Sequence, residues 1–259
     1  MQTNTGKNKY LYKYLNSLSK VDRKIILRFC ALVLCVPVQS VDANNTYPLG
    51  CQDPAYHSYL DKRFAHLERT NHRGFKNSLR NYEDSIDAGN EYFTISELAR
   101  HLIHSAPIDD VDVVNVKIAL LLEHIDALPL SKRVAGYVFS GFDDEKHAVF
   151  IARAWVAYRQ GNNALAFDHL DEALEVSATP VLSAFGPDFG FVRQIYQDGH
   201  VEPVLSYLTK SEAIWQNPRA DDMRYVWREL IEAQCPLEFG FYDTTEALKL
   251  GLSVRDVNR

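Results

Sequence analysis

Hydrophobic residues along this chain recur at intervals of three and four, and no stretch shows sustained alternation of apolar and polar residues. The first spacing places apolar side chains on one face of an α-helix, whereas alternation would indicate a β-strand. The pattern is clearest over residues 147–215, where Gly161 and Gly199 each interrupt a pair of periodic segments. Because glycine readily adopts positive φ, both positions predict tight turns between helices. The fold class predicted from this pattern is all-α.

The segments around these two glycines align with each other when Gly199 is superposed on Gly161, 38 residues earlier. Ala154, Ala166 and Ala173 of the first unit fit an antiparallel helix pair, because two helices approach closely only where the side chains between them are small. A period of about 20–50 residues is typical of solenoids, whose units cannot bury their apolar faces alone.

The run GNNALAFDHLDEAL at residues 161–174 resembles the second helix of a tetratricopeptide repeat. Ala154 and Phe150 stand where the first helix of that motif has a small residue and a large aromatic one. Residues 227–240 are similar to segments in uncharacterised bacterial proteins of this repeat type. The resemblance covers about residues 147–240 and implies a short tetratricopeptide-like α-solenoid of antiparallel helix pairs. The motif describes packing and carries no catalytic chemistry.

In proteins that this repeat resembles, the first helix of each unit lines a concave groove that holds a peptide or helix of a partner protein. Aromatic residues and arginines are enriched at such interfaces. The alternative is that Trp155 and Tyr158 pack against the neighbouring repeat. The resemblance implies a protein or peptide partner and eight groove residues: Ile151, Trp155, Tyr158, Arg159, Phe189, Arg193, Tyr196 and Gln197.

The amino-terminal end differs from the rest of the chain. Residues 1–43 contain seven Lys or Arg and two Asp, with an apolar run at 25–38 and the sequence Val41-Asp42-Ala43 at the end. A basic region, a short apolar core and a small-residue site are typical of a secretory signal peptide. We therefore predict a periplasmic or secreted protein with a cleavable signal, without a membrane span once the signal is removed. The alternatives are an uncleaved amino-terminal membrane anchor and a cytoplasmic amphipathic helix.

The remainder of the chain is acidic, with 21 basic and 32 acidic side chains. A net charge of −11 argues against nucleic acid as a partner, because phosphate binding requires a basic face. Cys51 and Cys235 would be the two cysteines left after signal removal. In an oxidising compartment they could form one disulfide, and the alternative is two separate thiols.

No catalytic signature is found, since the chain lacks G-x-S-x-G, a phosphate loop and H-E-x-x-H. His101 and His104 lie three apart on a predicted helix, but no third ligand completes a metal site. Glu145 and His147 could serve acid–base chemistry in a hydrolytic enzyme, although no nucleophile pattern accompanies them. We therefore expect no enzymatic activity and no cofactor. The remaining alternative is a structural module that self-associates through an apolar end face near Trp215 or Trp227.

The predicted organisation has five parts, and the third part contains a predicted capping box at Thr94 and Glu97. Four helices are predicted in that third part, at residues 56–71, 75–86, 94–105 and 111–128, and a further helix at 218–233 follows the repeats. The parts are a signal peptide or amino-terminal anchor at 1–43, a linker at 44–54, an amino-terminal helical region at 55–140, the repeats with a capping helix at 141–240, and a short helix with a tail at 241–259.

Overall fold

The computed structural model describes residues 51, 54–128 and 141–243. All of them belong to the larger of the two units into which the chain divides, residues 46–259. Within these described ranges every α-helix packs against others and no strand occurs, so the all-α fold class is confirmed. The predicted signal peptide or anchor at 1–43, most of the linker at 44–54 and most of the short helix with a tail at 241–259 lie outside the described residues.

The described part of the chain contains nine α-helices, numbered here in chain order. A 3₁₀ turn at Ser211–Ala213 follows the eighth. The helices are α1 Pro54–Ala88, α2 Glu91–Ser105, α3 Val111–Ala127, α4 Asp143–Arg159, α5 Asn163–Glu172, α6 Pro180–Phe185, α7 Gly190–Gln197, α8 Val201–Lys210 and α9 Pro218–Glu232.

Helix α1 is one continuous helix of 35 residues, where the sequence predicted two. The predicted break falls around Gly74, and this glycine lies inside the helix without interrupting it. A Cβ at position 74 would lie 2.7 Å from Cε1 of His104 on α2. The glycine therefore lets α1 and α2 approach closely, which is a packing role rather than a turn.

Helix α2 begins three residues earlier than predicted. Asn90 is its N-cap, and the side chain of Asn90 accepts a hydrogen bond from the backbone N–H of Phe93 at 3.2 Å. Thr94, the predicted cap, lies inside the helix and donates to the backbone oxygens of Ser85 and Asn90. The prediction at Thr94 is therefore wrong, because asparagine at the preceding turn satisfies the free N–H groups equally well.

Two antiparallel helix pairs follow, and both predicted glycine turns have positive φ, 79° at Gly161 and 88° at Gly199. In the first pair, His147 near the start of α4 contacts the backbone of Ala173 just after α5. In the second pair, Tyr207 near the end of α8 contacts the backbone of Asp188 just before α7. These contacts join the far end of each pair, so the two helices run in opposite directions.

Helix α4 is shared by the two apolar cores of the described residues. One side of α4, including Val149 and Ala152, packs with α2, α3 and the carboxyl-terminal part of α1 in the first cluster. The other side, including Ile151 and Ala154, packs with α5 to α9 and the first turns of α1 in the second cluster. Trp155 contacts both clusters. The middle of the molecule is therefore one helix with two buried faces.

A disulfide links Cys51, before α1, to Cys235, after α9, with Cα atoms 5.3 Å apart. Of the two states left open by the sequence, the structure has the bonded one. The residues that follow α9, numbers 235–239, have no helical structure, and all of them except Pro236 are buried. We call residues 235–239 the strap.

Candidate functional site

The eight residues predicted to line a groove lie on α4 and on or beside α7, but they do not form an open wall. Ile151 has no exposed surface and belongs to the second core cluster. Only Arg159 and Gln197 are exposed, and the other five residues are half-buried. The pattern that predicted the groove therefore reports mostly on internal contacts in this structure.

The two aromatic residues of α4 pack against α7. The ring of Trp155 meets Phe191 edge-on with centroids 5.1 Å apart, and the ring of Tyr158 meets the same Phe191 at 5.5 Å. The hydroxyl of Tyr158 donates to a carboxylate oxygen of Asp198 at 2.6 Å. Packing between neighbouring helix pairs, the alternative to the groove, describes both residues.

Arg159 is exposed but already engaged within the chain. Its Nη1 donates to the backbone oxygens of Ala106 at 2.9 Å and of Asp109 at 2.5 Å. These carbonyls lie in the turn between α2 and α3. Arg159 thus ties the end of α4 to that turn.

The strap covers three of the four groove residues that belong to the second helix pair. Nε of Arg193 donates to the backbone oxygen of Glu238 at 2.6 Å, and the hydroxyl of Tyr196 donates to that of Cys235 at 2.7 Å. The ring of Phe189 lies parallel to that of Phe239 with centroids 6.1 Å apart. The strap, a segment of the same chain, therefore occupies the face on which a partner was predicted.

Helix α1 holds the strap from the opposite side. The hydroxyl of Tyr56 donates to the backbone oxygen of Pro236 at 2.6 Å. The guanidinium of Arg63 forms a two-point ion pair with Glu238, at 2.6 and 2.7 Å. Because this carboxylate is buried, the pairing satisfies a charge that would otherwise be costly.

Asp243, four residues beyond the strap, is buried beneath it. Its carboxylate accepts hydrogen bonds from Nε1 of Trp227 at 2.9 Å and from the backbone N–H of Gly240 at 2.7 Å. Burial outweighs these bonds and, with the nearby charge of Glu238, raises the pKa of Asp243 to about 7. The carboxyl group therefore changes charge near neutral pH.

Glu145 and His147, the residues of the hydrolytic alternative, do not share a cleft. They lie two apart on α4, a spacing at which helical side chains diverge. Glu145 bonds with Ser96 on α2, and burial raises its pKa. His147 donates through Nδ1 to the backbone oxygen of Ala173 at 2.7 Å and accepts the backbone N–H of Asp188 at Nε2 at 3.2 Å. With both nitrogens used and its pKa lowered by burial, this histidine is a neutral link between helices.

A buried polar chain that the sequence analysis missed joins α1, α2 and α3. The ammonium of Lys117 donates to Asp109 at 2.5 Å and to Nε2 of His101 at 2.8 Å. Burial, reinforced by Lys117, lowers the pKa of His101 to about 3. Because Nε2 accepts, Nδ1 carries the proton and donates to Oγ of Ser78 at 3.1 Å, and that hydroxyl donates to the backbone oxygen of Phe75.

This direction of hydrogen bonding decides what the chain of residues does. The nitrogen of His101 that faces Ser78 is protonated, so it cannot act as a base toward that hydroxyl. Ser78 and His101 are also 3% and 1% exposed. The arrangement therefore cross-links three helices, and a periodicity pattern could not reveal it because its members are 39 residues apart in sequence. The described residues hold no group of three His, Cys, Asp or Glu side chains suited to a metal ion.

The most exposed apolar surface of the described residues lies on α6, a short helix that the periodicity did not predict. Val181, Ala184 and Phe185 are all exposed, with 81% of Phe185 accessible. Their spacing of three and four places them on one helical face. We call these three residues the α6 patch.

The α6 patch is held rigidly over the second core cluster. Gly186 has a φ of 84°, and a Cβ there would lie 2.7 Å from the indole of Trp215. The amide of Asn217 donates to the backbone oxygens of Ser183 and Ala184. Trp215 is buried, and so is Trp227. The two indoles near which an apolar end face was predicted are therefore internal.

A second exposed aromatic feature lies at the start of α9. The guanidinium of Arg219 lies 3.1 Å from the ring centroid of Phe241, which is 47% exposed. Arg219 is two residues after Asn217, whose amide contacts α6. Arginine over an aromatic ring combines an apolar surface with a fixed charge.

None of the helices described here is long and apolar enough to cross a membrane. Comparison of the chain with protein-family models, with curated proteins and with solved structures finds no match in any of the three.

Proposed function

We propose that this protein is an exported, tetratricopeptide-like helical-repeat protein that binds another protein through the α6 patch. The antiparallel pairs α4–α5 and α7–α8, each turning on a glycine of positive φ, support the repeat architecture. The disulfide between Cys51 and Cys235 supports export, because disulfides persist in oxidising compartments and are rare in the cytosol.

The observation that carries the proposal is the exposure of Phe185. A phenylalanine side chain with 81% of its surface in water is unfavourable for an isolated molecule, since its burial is worth roughly 1.5–3 kcal/mol. Val181 and Ala184 extend the same face, and Arg219 lies over the exposed ring of Phe241 at the start of α9. Aromatic residues and arginines are the types that most often anchor protein interfaces.

The α6 patch suits this role better than the face first predicted from the repeat resemblance. On that face Arg193 and Tyr196 already bond the strap, and Arg159 bonds the turn between α2 and α3. The side chains of α6, in contrast, project from a helix whose backbone is fixed by Asn217. A rigid surface of this kind loses little conformational entropy on binding.

Self-association through the same patch is the competing function, because two copies would bury the same apolar face. Sedimentation of the purified protein separates it from binding to a different protein. A concentration-dependent dimer that Phe185→Asp abolishes would assign the patch to self-association.

The test of the proposal is photo-crosslinking in the native envelope fraction, with a photoreactive amino acid in place of Val181. A crosslinked protein that disappears when Phe185 is changed to Asp supports the proposal. Phe93→Asp is the matched control, since Phe93 is 52% exposed and lies on α2, among the helices of the first cluster. A crosslinked protein that persists in the Phe185→Asp variant would overturn the assignment of the patch.

A further inference from the structure

The strap lies against α7 in the way that an extended peptide ligand would. It has no internal helical structure and follows the end of α9, and its residues Cys235, Leu237, Glu238 and Phe239 are all buried. We propose that the face of α7 beneath the strap is a peptide-binding groove that the Cys51–Cys235 disulfide holds shut. Its occupant after reduction is an extended segment of a partner with an aliphatic, an acidic and an aromatic residue in succession. This surface is separate from the α6 patch.

The first support is that the protein recognises the strap through its main chain. Three strap carbonyls accept hydrogen bonds from side chains outside the strap: Cys235 from Tyr196, Pro236 from Tyr56, and Glu238 from Arg193. Contacts to carbonyl oxygens do not depend on which side chains the strap carries. Any extended chain of matching register satisfies them, as in other modes of peptide recognition.

The second support is that each strap side chain has a matching environment, which defines the sequence class of the partner. Glu238 accepts hydrogen bonds from both Nε and Nη2 of Arg63, a two-point geometry specific for a carboxylate. Phe239 lies among aromatic rings, with centroids 5.5 Å from Trp227 and 5.7 Å from Tyr196. Leu237 has no exposed surface. The groove thus selects an aliphatic, an acidic and an aromatic residue.

The third support is that one residue of the strap is held in an uncommon backbone conformation. Phe239 has a φ of 56°, a left-handed conformation that a residue with a side chain adopts only when its surroundings impose it. The ion pair of Glu238 with Arg63 and the disulfide of Cys235 with Cys51 hold the residues before Phe239 in place.

Cys51 is the sulfur at which the fastening opens, because it is half-buried whereas Cys235 has no exposed surface. A thiolate of a dithiol reductant attacks Sγ of Cys51, and the bond to Cys235 breaks with Cys235 leaving as the thiolate. The second thiol of the reductant then displaces Cys51 and closes the reductant's own disulfide. Two electrons pass from the dithiol to the protein, which gains two thiols.

The test uses the protein recovered after expression of the full chain, oxidised or reduced with a dithiol. The probe is a fluorescent peptide of residues 233–241 with serine in place of Cys235. We expect the reduced protein to bind it at least about tenfold more tightly, because the disulfide is a second tether that raises the effective concentration of the strap above the value set by its backbone connection to α9 alone. Equal affinity of the oxidised and reduced proteins would overturn the proposal.

A charge exchange tests whether the peptide enters the groove itself. The variant Arg63→Glu weakens the hold on its own strap and presents a carboxylate to the groove. It should prefer a peptide with arginine in place of Glu238 over the native peptide by about tenfold. If the preference does not invert, the peptide binds elsewhere and the proposal fails.

Two further measurements distinguish this proposal from a purely stabilising role of the disulfide and from binding at the α6 patch. Hydrogen exchange on reduction should rise more in the strap, in the first turns of α1 and in α7 than in α2 and α3. An equal rise in every helix would mean that the disulfide only stabilises the fold, which also overturns the proposal. The variant Phe185→Asp should leave peptide binding unchanged, so that failure of the α6 patch and failure of the groove are distinguishable.

Discussion

Asp243 illustrates at the scale of one residue how burial changes the chemistry of a side chain. It accepts two hydrogen bonds that favour its charged form, from Trp227 and Gly240. Removal from water favours the neutral form more strongly, and the pKa settles at about 7. Glu238 faces it with a like charge, while Arg193 and Arg63 reach the same region through their bonds to Glu238.

This raised pKa predicts a pH-dependent stability that substitution removes. In the unfolded chain an aspartate has a pKa of about 3.9, so the folded protein holds this proton more tightly. The resulting stabilisation is complete below about pH 4 and is lost as the pH rises through 7. We expect the fall in the free energy of unfolding between pH 5 and pH 8 to be smaller by about 2–3 kcal/mol in Asp243→Asn than in the native protein.

Urea denaturation at a series of pH values measures this difference. The exposed Asp168→Asn is the matched control and should leave the pH dependence of the native protein unchanged. Parallel pH profiles for the native protein and Asp243→Asn would contradict the prediction.

At the scale of secondary-structure elements, the pairing of α1 with α2 depends on one glycine. Glycine inside a helix normally costs about 0.5–1 kcal/mol relative to alanine. At position 74 the absent Cβ leaves room for the imidazole of His104, whose Cε1 would otherwise lie 2.7 Å away. The close approach of two helices thus offsets a poor helix propensity.

A double-mutant cycle tests this role. Gly74→Ala alone should destabilise the protein by about 1–2 kcal/mol, because the histidine ring must move in a packed interface. In a His104→Ala background the same change should stabilise by up to about 1 kcal/mol, since only helix propensity remains. Thermal or urea unfolding of the four proteins gives the coupling energy. An equal effect of Gly74→Ala in both backgrounds would show that the contact has no energetic role.

The elements also show where pattern reading succeeds and where it fails. The helix at 111–128 is found at Val111–Ala127, and the helix at 218–233 at Pro218–Glu232, because proline and apolar periodicity mark their limits. Thr94 fails as a cap because Asn90 stands closer to the glycine turn. Local chemistry offers several acceptable caps, and the surrounding packing selects one.

At the scale of the whole molecule, the disulfide joins the two ends of the described chain. Cys51 and Cys235 are 184 residues apart in sequence, and each lies beside the second core cluster. A cross-link over so long a loop lowers the conformational entropy of the unfolded chain. In the chain-entropy description this raises the free energy of the unfolded state by about 5 kcal/mol. Much of the stability of this molecule is therefore expected to depend on the compartment in which it resides.

Removing the cross-link should lower the free energy of unfolding by about 2–5 kcal/mol. The variant is Cys51→Ser with Cys235→Ala, since alanine avoids an unpaired hydroxyl at the buried position. Urea denaturation of this variant and of the native protein with and without a dithiol provides the measurement. The native protein under reducing conditions should match the variant. A loss below about 1 kcal/mol in both would show that the folded state does not depend on the bond.

The sequence by itself determined the all-α class, the two glycine turns and several helix limits, because these depend on interactions between residues a few positions apart. It could name Arg193 and Tyr196 as notable side chains and Cys51 with Cys235 as a possible pair. Only the tertiary structure decided that the strap covers Arg193 and Tyr196 and that the two cysteines are bonded. It also decided that Phe185 is exposed while Trp215 is buried. These outcomes join residues far apart in sequence, and periodicity within a segment carries no information about which distant segment will cover its face.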